Sequence, residues 1–215
     1  MYHFGIIGAG NIAHKFIEAV RMTKHADVTA VASKSLERAR DWAEKEGLSR
    51  YYDSYETLLA DPDIDIIYIA TLSNAHYDNI KACLEAGKHV ICEKPMTQTA
   101  SQAQEMITLA REKQLFLMEG MWSRFLPKSL RVRRWIQEGR IGELHLMQAN
   151  IGWKADKTYN KRLFYPELGG GSLYDIGIYP MELLPYYADQ KITQMQFLKK
   201  DYSTGVDEIV SLNLQ

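Results

Sequence analysis

Asp175 and Tyr179 stand four residues apart in Gly169-Gly170-Gly171-Ser172-Leu173-Tyr174-Asp175-Ile176-Gly177-Ile178-Tyr179-Pro180. Taken as one helical turn entered through three glycines, the segment sets a carboxylate and a phenol on the same face, because residues i and i+4 stack. Both are side-chain types that can carry a proton in a reaction. The same residues also read as a glycine loop before an ordinary helix, with Tyr179 a half-buried core aromatic. The segments upstream must decide.

At the other end of the chain, Gly8-Ala9-Gly10-Asn11-Ile12-Ala13 follows the apolar run 2–7 and precedes Ile12, Phe16 and Val20 at helical spacing. This is G-x-G-x-x-G/A between a strand and a helix, the context that makes the motif a dinucleotide site. Gly8 permits the tight turn, Gly10 lets a pyrophosphate approach the backbone, and Ala13 keeps helix and strand close. Asn11 and Ile12 open the helix, whose N–H groups and positive dipole end face the phosphates. The second strand, 27–32, ends at Ser33 and Lys34. An acid there would accept a ribose 2'-hydroxyl, whereas small hydroxyls and a cation suit a 2'-phosphate, so these two residues point to NADP, with NAD the alternative. Lys34 as a solvated loop lysine is the competing reading.

Two further strand ends contribute to the same rim. After the strand 64–70 come Thr71, Leu72 and Asn74, expected to line the cofactor, and His76, which either touches the ligand or serves as a local hydrogen-bonding group. After 89–92 come Glu93 and Lys94, followed by Pro95, which restricts the backbone of Lys94 to extended or turn conformations. A surface ion pair is the plain alternative for Glu93 and Lys94.

The elements that must position these residues alternate strand and helix through 115–119, which predicts an α/β domain with a doubly wound parallel sheet over residues 1–121. Thr99-Ala100-Ser101-Gln102 has the form of a capping box, with Ala103, Met106, Ile107 and Ala110 as the core stripe behind it. Residues 122–215 change grammar. An amphipathic helix with a solvated basic face is expected at 128–140, a strand at 144–153, the glycine-entered helix next, and strands at 192–202 and 206–214. That predicts an α+β domain with a mainly antiparallel sheet.

A formal net charge of −1 supplies no basic footprint for nucleic acid or an anionic membrane. No run approaches a membrane span, and Cys83 and Cys92 lack metal-ligand spacing, so a reduced, cytoplasmic protein without a metal site is expected.

The motifs GAGNIA at 8–13, EKP at 93–95, MEGMWSRFLP at 118–127 and GGGSLYDIGIYP at 169–180 together resemble the glucose-fructose oxidoreductase / inositol dehydrogenase / MocA family over almost the whole chain. Within it, the segments around Trp122 and Tyr179 look most like the dimeric dihydrodiol dehydrogenase and NADP-dependent aldose dehydrogenase branch. Many relatives carry histidine where Tyr179 stands, which argues against inositol-type NAD chemistry. The resemblance implies a Rossmann domain and a substrate domain. It further implies hydride transfer between NADP and a secondary alcohol or carbonyl of a sugar or cyclic diol, with Lys94, Asp175 and Tyr179 converging on the reacting oxygen. Tyr179 would exchange the proton, Lys94 would favour its phenolate, and Asp175 would orient Lys94 or bind a substrate hydroxyl. Trp122 and Arg124 would border the cofactor, and Trp122, Trp153 and Phe164 offer an apolar or sugar-stacking wall. Relatives are longer, so the resemblance also implies a C-terminally truncated chain, a homodimer in the full-length form, and, as the alternative to catalysis, a silent nucleotide-binding or scaffold fragment.

Overall fold

The structure, a computed structural model, describes residues 1–188 and 191–215. It divides into two compact units, Met1–Gly120 and Met121–Gln215.

In the first unit β1 (Tyr2–Ile7), α1 (Asn11–Arg21), β2 (Ala26–Ala32), α2 (Leu36–Glu46), β3 (Arg50–Tyr52), α3 (Tyr55–Leu59), β4 (Ile66–Ile69), α4 (His76–Glu85), β5 (His89–Cys92), α5 (Ala100–Glu112) and β6 (Leu117–Glu119) follow in order. The six strands form one sheet in the order β3-β2-β1-β4-β5-β6, and every neighbouring pair is parallel. This is the doubly wound dinucleotide-binding order, with its reversal between β1 and β4. Period-2 alternation divides the core between the two faces. Phe4, Ile6 and Tyr68 pack with Ala13, Ile17 and Trp42 on one side, whereas Ile7, Ile67, Ile69 and Val90 pack with Ile80, Leu84 and Met106 on the other.

Local sequence accounts for several boundaries. The Thr99 hydroxyl accepts from Gln102 N–H at 3.2 Å and the Gln102 carboxamide from Gln98 N–H at 3.2 Å, a reciprocal cap that starts α5. Met106 and Ala110 are the buried members of its stripe. On α1 the buried stripe is Ala13, Ile17 and Val20 rather than the expected Ile12, Phe16 and Val20, and Ile12 is 40% exposed at the helix start. The ladder of β4 is shorter than the apolar run 64–70, and β6 is shorter than 115–119. β3 and α3 are additions to the expected order.

In the second unit a 3-10 turn (Trp122–Phe125) leads into α6 (Pro127–Gln137), with Pro127 at the start, where its missing N–H costs nothing. After two short 3-10 turns (Lys161–Phe164 and Pro166–Leu168) come a π-helical turn (Leu173–Gly177), α7 (Ile178–Ala188) and the antiparallel pair β7 (Met195–Asp201) and β8 (Asp207–Leu214). The strand expected at 144–153 does not form: Leu146, Ile151 and Trp153 are exposed, and β7 and β8, the strands of this unit among the described residues, pair with each other. Alternation makes a strand only where a ladder partner satisfies its backbone. On α6, Val132 and Trp135 are exposed instead of forming a buried face, and Arg131 and Arg140 lie over the Trp135 ring at 5.9 and 6.0 Å.

Among the described residues no helix is long and apolar enough to cross a membrane, and no group of three or more His, Cys, Asp or Glu is placed to hold a metal. Cys83 and Cys92 are buried and unbridged, and burial pushes the Cys83 thiol up to about 12.

β3 is tied down by Asp61, which accepts from Arg50 at 2.6 Å, Tyr52 OH at 2.7 Å and Asp63 N–H at 2.9 Å. Burial opposes ionisation of this carboxyl, but those donors outweigh it and hold it below the usual carboxylate range. A depressed folded-state pKa contributes stability above the unfolded value, near 3.9, and loses it as pH falls through the folded value. Asp61→Asn is therefore expected to cost about 1 kcal/mol at pH 7 and to flatten the acid limb of stability. Urea unfolding of both proteins between pH 7 and pH 3 checks this.

Candidate functional site

The turn after β1 is the tightest passage of the first unit. Gly8 has φ +102°, and a Cβ there would lie 2.8 Å from the Ala70 carbonyl carbon at the end of β4. Gly10, by contrast, is the extended N-cap of α1, with φ −113°, and a Cβ on it would meet only Ala70 O at an ordinary 3.7 Å. The protein's own packing does not require glycine at position 10. A group approaching the backbone from outside would, and the turn fits a dinucleotide pyrophosphate. The first turn of α1 carries no side-chain cap and no acid, and Asn11 and Ile12 are exposed beside it.

At the end of β2, Ser33 is buried, with its N–H on Tyr52 O at 3.1 Å, while Lys34 is exposed. Ser35 caps α2 through the Arg38 N–H at 3.3 Å, and the Arg38 guanidinium donates to Ala9 O at 2.9 Å. Arg38 was not singled out from the sequence. Its signal was a second cation four residues beyond Lys34, on the first turn of the helix after β2. An open groove of about 350 Å³ lined by Ser35, Arg38, Asp41, Trp42 and neighbours continues from it.

The remaining rim residues divide by exposure. Leu72 and Asn74 are exposed and Thr71 half-buried, its hydroxyl accepting from Asn79 at 3.1 Å. His76 is buried: its Nδ1 lies 2.7 Å from Pro95 O and its Nε2 3.1 Å from Thr71 O. It ties two rim loops together, as a local hydrogen-bonding group does. Glu93 accepts from the buried Tyr68 phenol at 2.5 Å and from Lys94 N–H at 3.3 Å. Burial, reinforced by the Glu93 charge, pushes the Tyr68 phenol far above its ordinary range, so it stays a proton donor to Glu93. Lys94, half-buried, follows at the cis Lys94–Pro95 bond.

In the second unit Gly170 and Gly171 serve close packing, and Gly169 ends the preceding 3-10 turn in a left-handed conformation. A Cβ on Gly170 would lie 2.7 Å from both Arg162 O and Leu163 O, and Gly171 N–H donates to Leu163 O at 3.0 Å. The segment beyond is a π-turn, where a regular α turn was expected. Asp207, at the start of β8, accepts from Ser172 OH and Leu173 N–H, both at 2.7 Å, and so caps that turn. Asp175 accepts from Arg162 at 2.7 Å. Tyr179 lies in the first turn of α7, its oxygen receiving the Trp122 indole N–H at 3.1 Å. Arg124 pairs with Glu182, which also accepts from Ser123 OH at 3.3 Å. Trp153 is exposed, and Phe164 packs edge-on against Tyr202 at 5.1 Å. Arg162, Glu182 and Asp207 are the residues the sequence reading passed over. Each is an ordinary charged residue whose partners lie 13 to 59 positions away.

Residues 2–121 match the oxidoreductase family with NAD-binding Rossmann fold, GFO_IDH_MocA, and residues 129–215 match the GFO/IDH/MocA C-terminal domain. A trans-1,2-dihydrobenzene-1,2-diol dehydrogenase from Xenopus tropicalis is 38% identical over 99% of this chain and 64% of its own length. The chain thus spans somewhat under two thirds of the curated relatives it matches. Among solved structures, a variant of a 3-ketoreductase from Actinomadura kijaniata, in complex with TDP-benzene and NADP, is 28% identical with a TM-score of 0.81, over 99% of this chain and 66% of that one. A levoglucosan dehydrogenase in complex with NADH and levoglucosan is 25% identical with a TM-score of 0.84, over 99% of this chain and 63% of that one.

The Asp207 cap gives a local prediction. Losing a side-chain cap costs about 1 kcal/mol, roughly a fivefold change in local opening. Asp207→Ala should therefore speed amide exchange at Leu173 by about that factor while leaving exchange in β1 and β4 unchanged. Equal rates at Leu173 would show that Asp207 does not hold the turn.

Proposed function

This chain belongs to the GFO/IDH/MocA family of oxidoreductases, and from that premise we propose that it is an NADP-dependent dehydrogenase acting on a secondary alcohol or carbonyl of a sugar or cyclic diol. The observation that carries the reading is the contrast between Gly8, which the fold needs, and Gly10, which it does not. Nucleotide binding is assigned to residues 1–121, and substrate binding and dimer formation to 122–215.

Gly8, Gly10, Asn11 and Ile12 are the residues to hold the pyrophosphate against the start of α1. Ser33 and Lys34, with Arg38, take the 2'-phosphate, since small hydroxyls and cations suit a dianion where an acid would repel it. Thr71, Leu72, Asn74 and the Glu93–Lys94 loop line the remainder. Trp122 and Arg124 border it, and His76 steadies the loops. When bound, the nicotinamide supplies the hydride acceptor or donor. Tyr179 then handles the matching proton: in oxidation its phenolate removes the hydroxyl proton as the carbon–oxygen double bond forms, and in reduction its phenol returns it. An ammonium such as Lys94 favours the phenolate. Asp175, steadied by Arg162, binds a substrate hydroxyl. Diol and sugar relatives support this substrate class.

NADPH is expected to bind at least tenfold more tightly than NADH, with Lys34→Ala narrowing the gap. Equal affinities in calorimetric titration would overturn the NADP assignment. Gly10→Ala should weaken both nucleotides while leaving the melting temperature nearly unchanged, whereas Gly8→Ala should lower the melting temperature itself. Tyr179→Phe should reduce turnover of a responsive diol or sugar by roughly 10²- to 10⁴-fold with NADPH affinity preserved. Unchanged turnover would remove Tyr179 from proton transfer. Binding without turnover of any diol or sugar by the unaltered chain would leave a nucleotide-binding protein and no dehydrogenase.

A further inference from the structure

Three residues of α7 at one-face spacing, Tyr179, Glu182 and Tyr186, all engage the short 3-10 turn that carries Trp122. Glu182 accepts from Ser123 and pairs with Arg124, and the Tyr186 hydroxyl donates to Arg124 O at 3.2 Å. The Arg124 guanidinium lies over the Tyr186 ring at 5.2 Å. Trp122, between these ties and Tyr179, meets the tyrosine ring edge-on at 6.2 Å and 74°. Its Nε1–H points at the Tyr179 oxygen from 3.1 Å.

The indole N–H is a donor only, so this contact has one polarity. The Tyr179 oxygen accepts there, and its own proton must lie along another direction. A hydrogen bond from a fixed donor strengthens when its acceptor becomes an anion. The Trp122 contact therefore favours the phenolate over the phenol. The ties of Ser123 and Arg124 to α7 fix the backbone that carries the donor, which limits the reorganisation needed when charge develops.

We propose that Trp122 is a positioning residue for Tyr179: its indole N–H aims the phenol's exchangeable proton away from the tryptophan and stabilises the phenolate. The proposal rests on the proton-transfer role assigned to Tyr179, yet the contact itself is measurable without turnover. A tryptophan that served only as an apolar or stacking wall would act through its ring, and phenylalanine would replace it.

The test uses the unaltered chain labelled with ¹³C at the tyrosine Cζ and ¹⁵N at the indole nitrogens. Tyr179→Phe identifies the Tyr179 signal, and Trp122→Phe identifies the Trp122 indole. In Trp122→Phe, Tyr179 should ionise roughly half a pH unit higher than in the unaltered chain, the size expected for one lost hydrogen bond. The other tyrosine signals, left in place, report that the fold is retained. In the unaltered chain the Trp122 indole resonance should follow the Tyr179 titration, and it should shift in Tyr179→Phe. An unchanged Tyr179 titration in a folded Trp122→Phe protein, or an indole resonance indifferent to Tyr179→Phe, would overturn the proposal. Absence of turnover alongside an intact indole response would instead count against the dehydrogenase reading alone.

Discussion

The first unit depends on the passage of the glycine turn against the end of β4. The Ala70 N–H donates to Ile7 O at 2.8 Å, and the chain must leave β1, reverse into α1 and keep clear of the Ala70 carbonyl within a single residue. Only a residue without Cβ, in a left-handed conformation, meets both demands at position 8. Because β1 and β4 are the strands between which the order reverses, this passage also sets the crevice beyond their C-terminal ends. Arg38 reaches the same turn from α2 through Ala9 O, so the backbone of this turn is braced from a second helix.

The second unit solves a different problem, which is how to fix a carboxylate and a phenol on a short, glycine-rich segment. Gly170 lets the backbone at 162–163 pack against it, Asp207 caps the π-turn, and Arg162 takes one Asp175 oxygen. Tyr179 lies in the first turn of the regular helix and meets Trp122. Each acid thus has a donor that limits its orientations. Side chains held in this way keep few orientations, and that is the physical meaning of preorganisation.

How much of this could be read in the residues differs by element. The glycine motif and the parallel series were legible, because strand-turn-helix punctuation is a local property; Lys94, Asp175 and Tyr179 were nominated as candidates from local spacing and motif. β3 and α3 were not: a three-residue strand and a five-residue helix present too few positions to show a period, and side-chain bonds to Asp61 beyond α3 hold β3. The stretch 144–153 misled in the opposite sense, since alternating side chains say nothing about whether a ladder partner exists. The π-turn was hidden because the spacing of Asp175 and Tyr179 is the same in sequence whether the turn is α or π. Arg38, Arg162, Glu182 and Asp207 became visible only through contacts across the fold.

The central claim is that the rim beyond β1, β2 and β4 holds a dinucleotide. Amide-exchange footprinting of the chain with and without NADPH tests it most directly, because it asks where the nucleotide sits and needs no substrate. Bound NADPH should slow exchange at residues 8–13, 33–38 and 71–74, with the outer face of α4 and α5 around Lys81 and Glu105 unchanged. Protection centred on α4 and α5, or none at residues 8–13 at saturating NADPH, would contradict it.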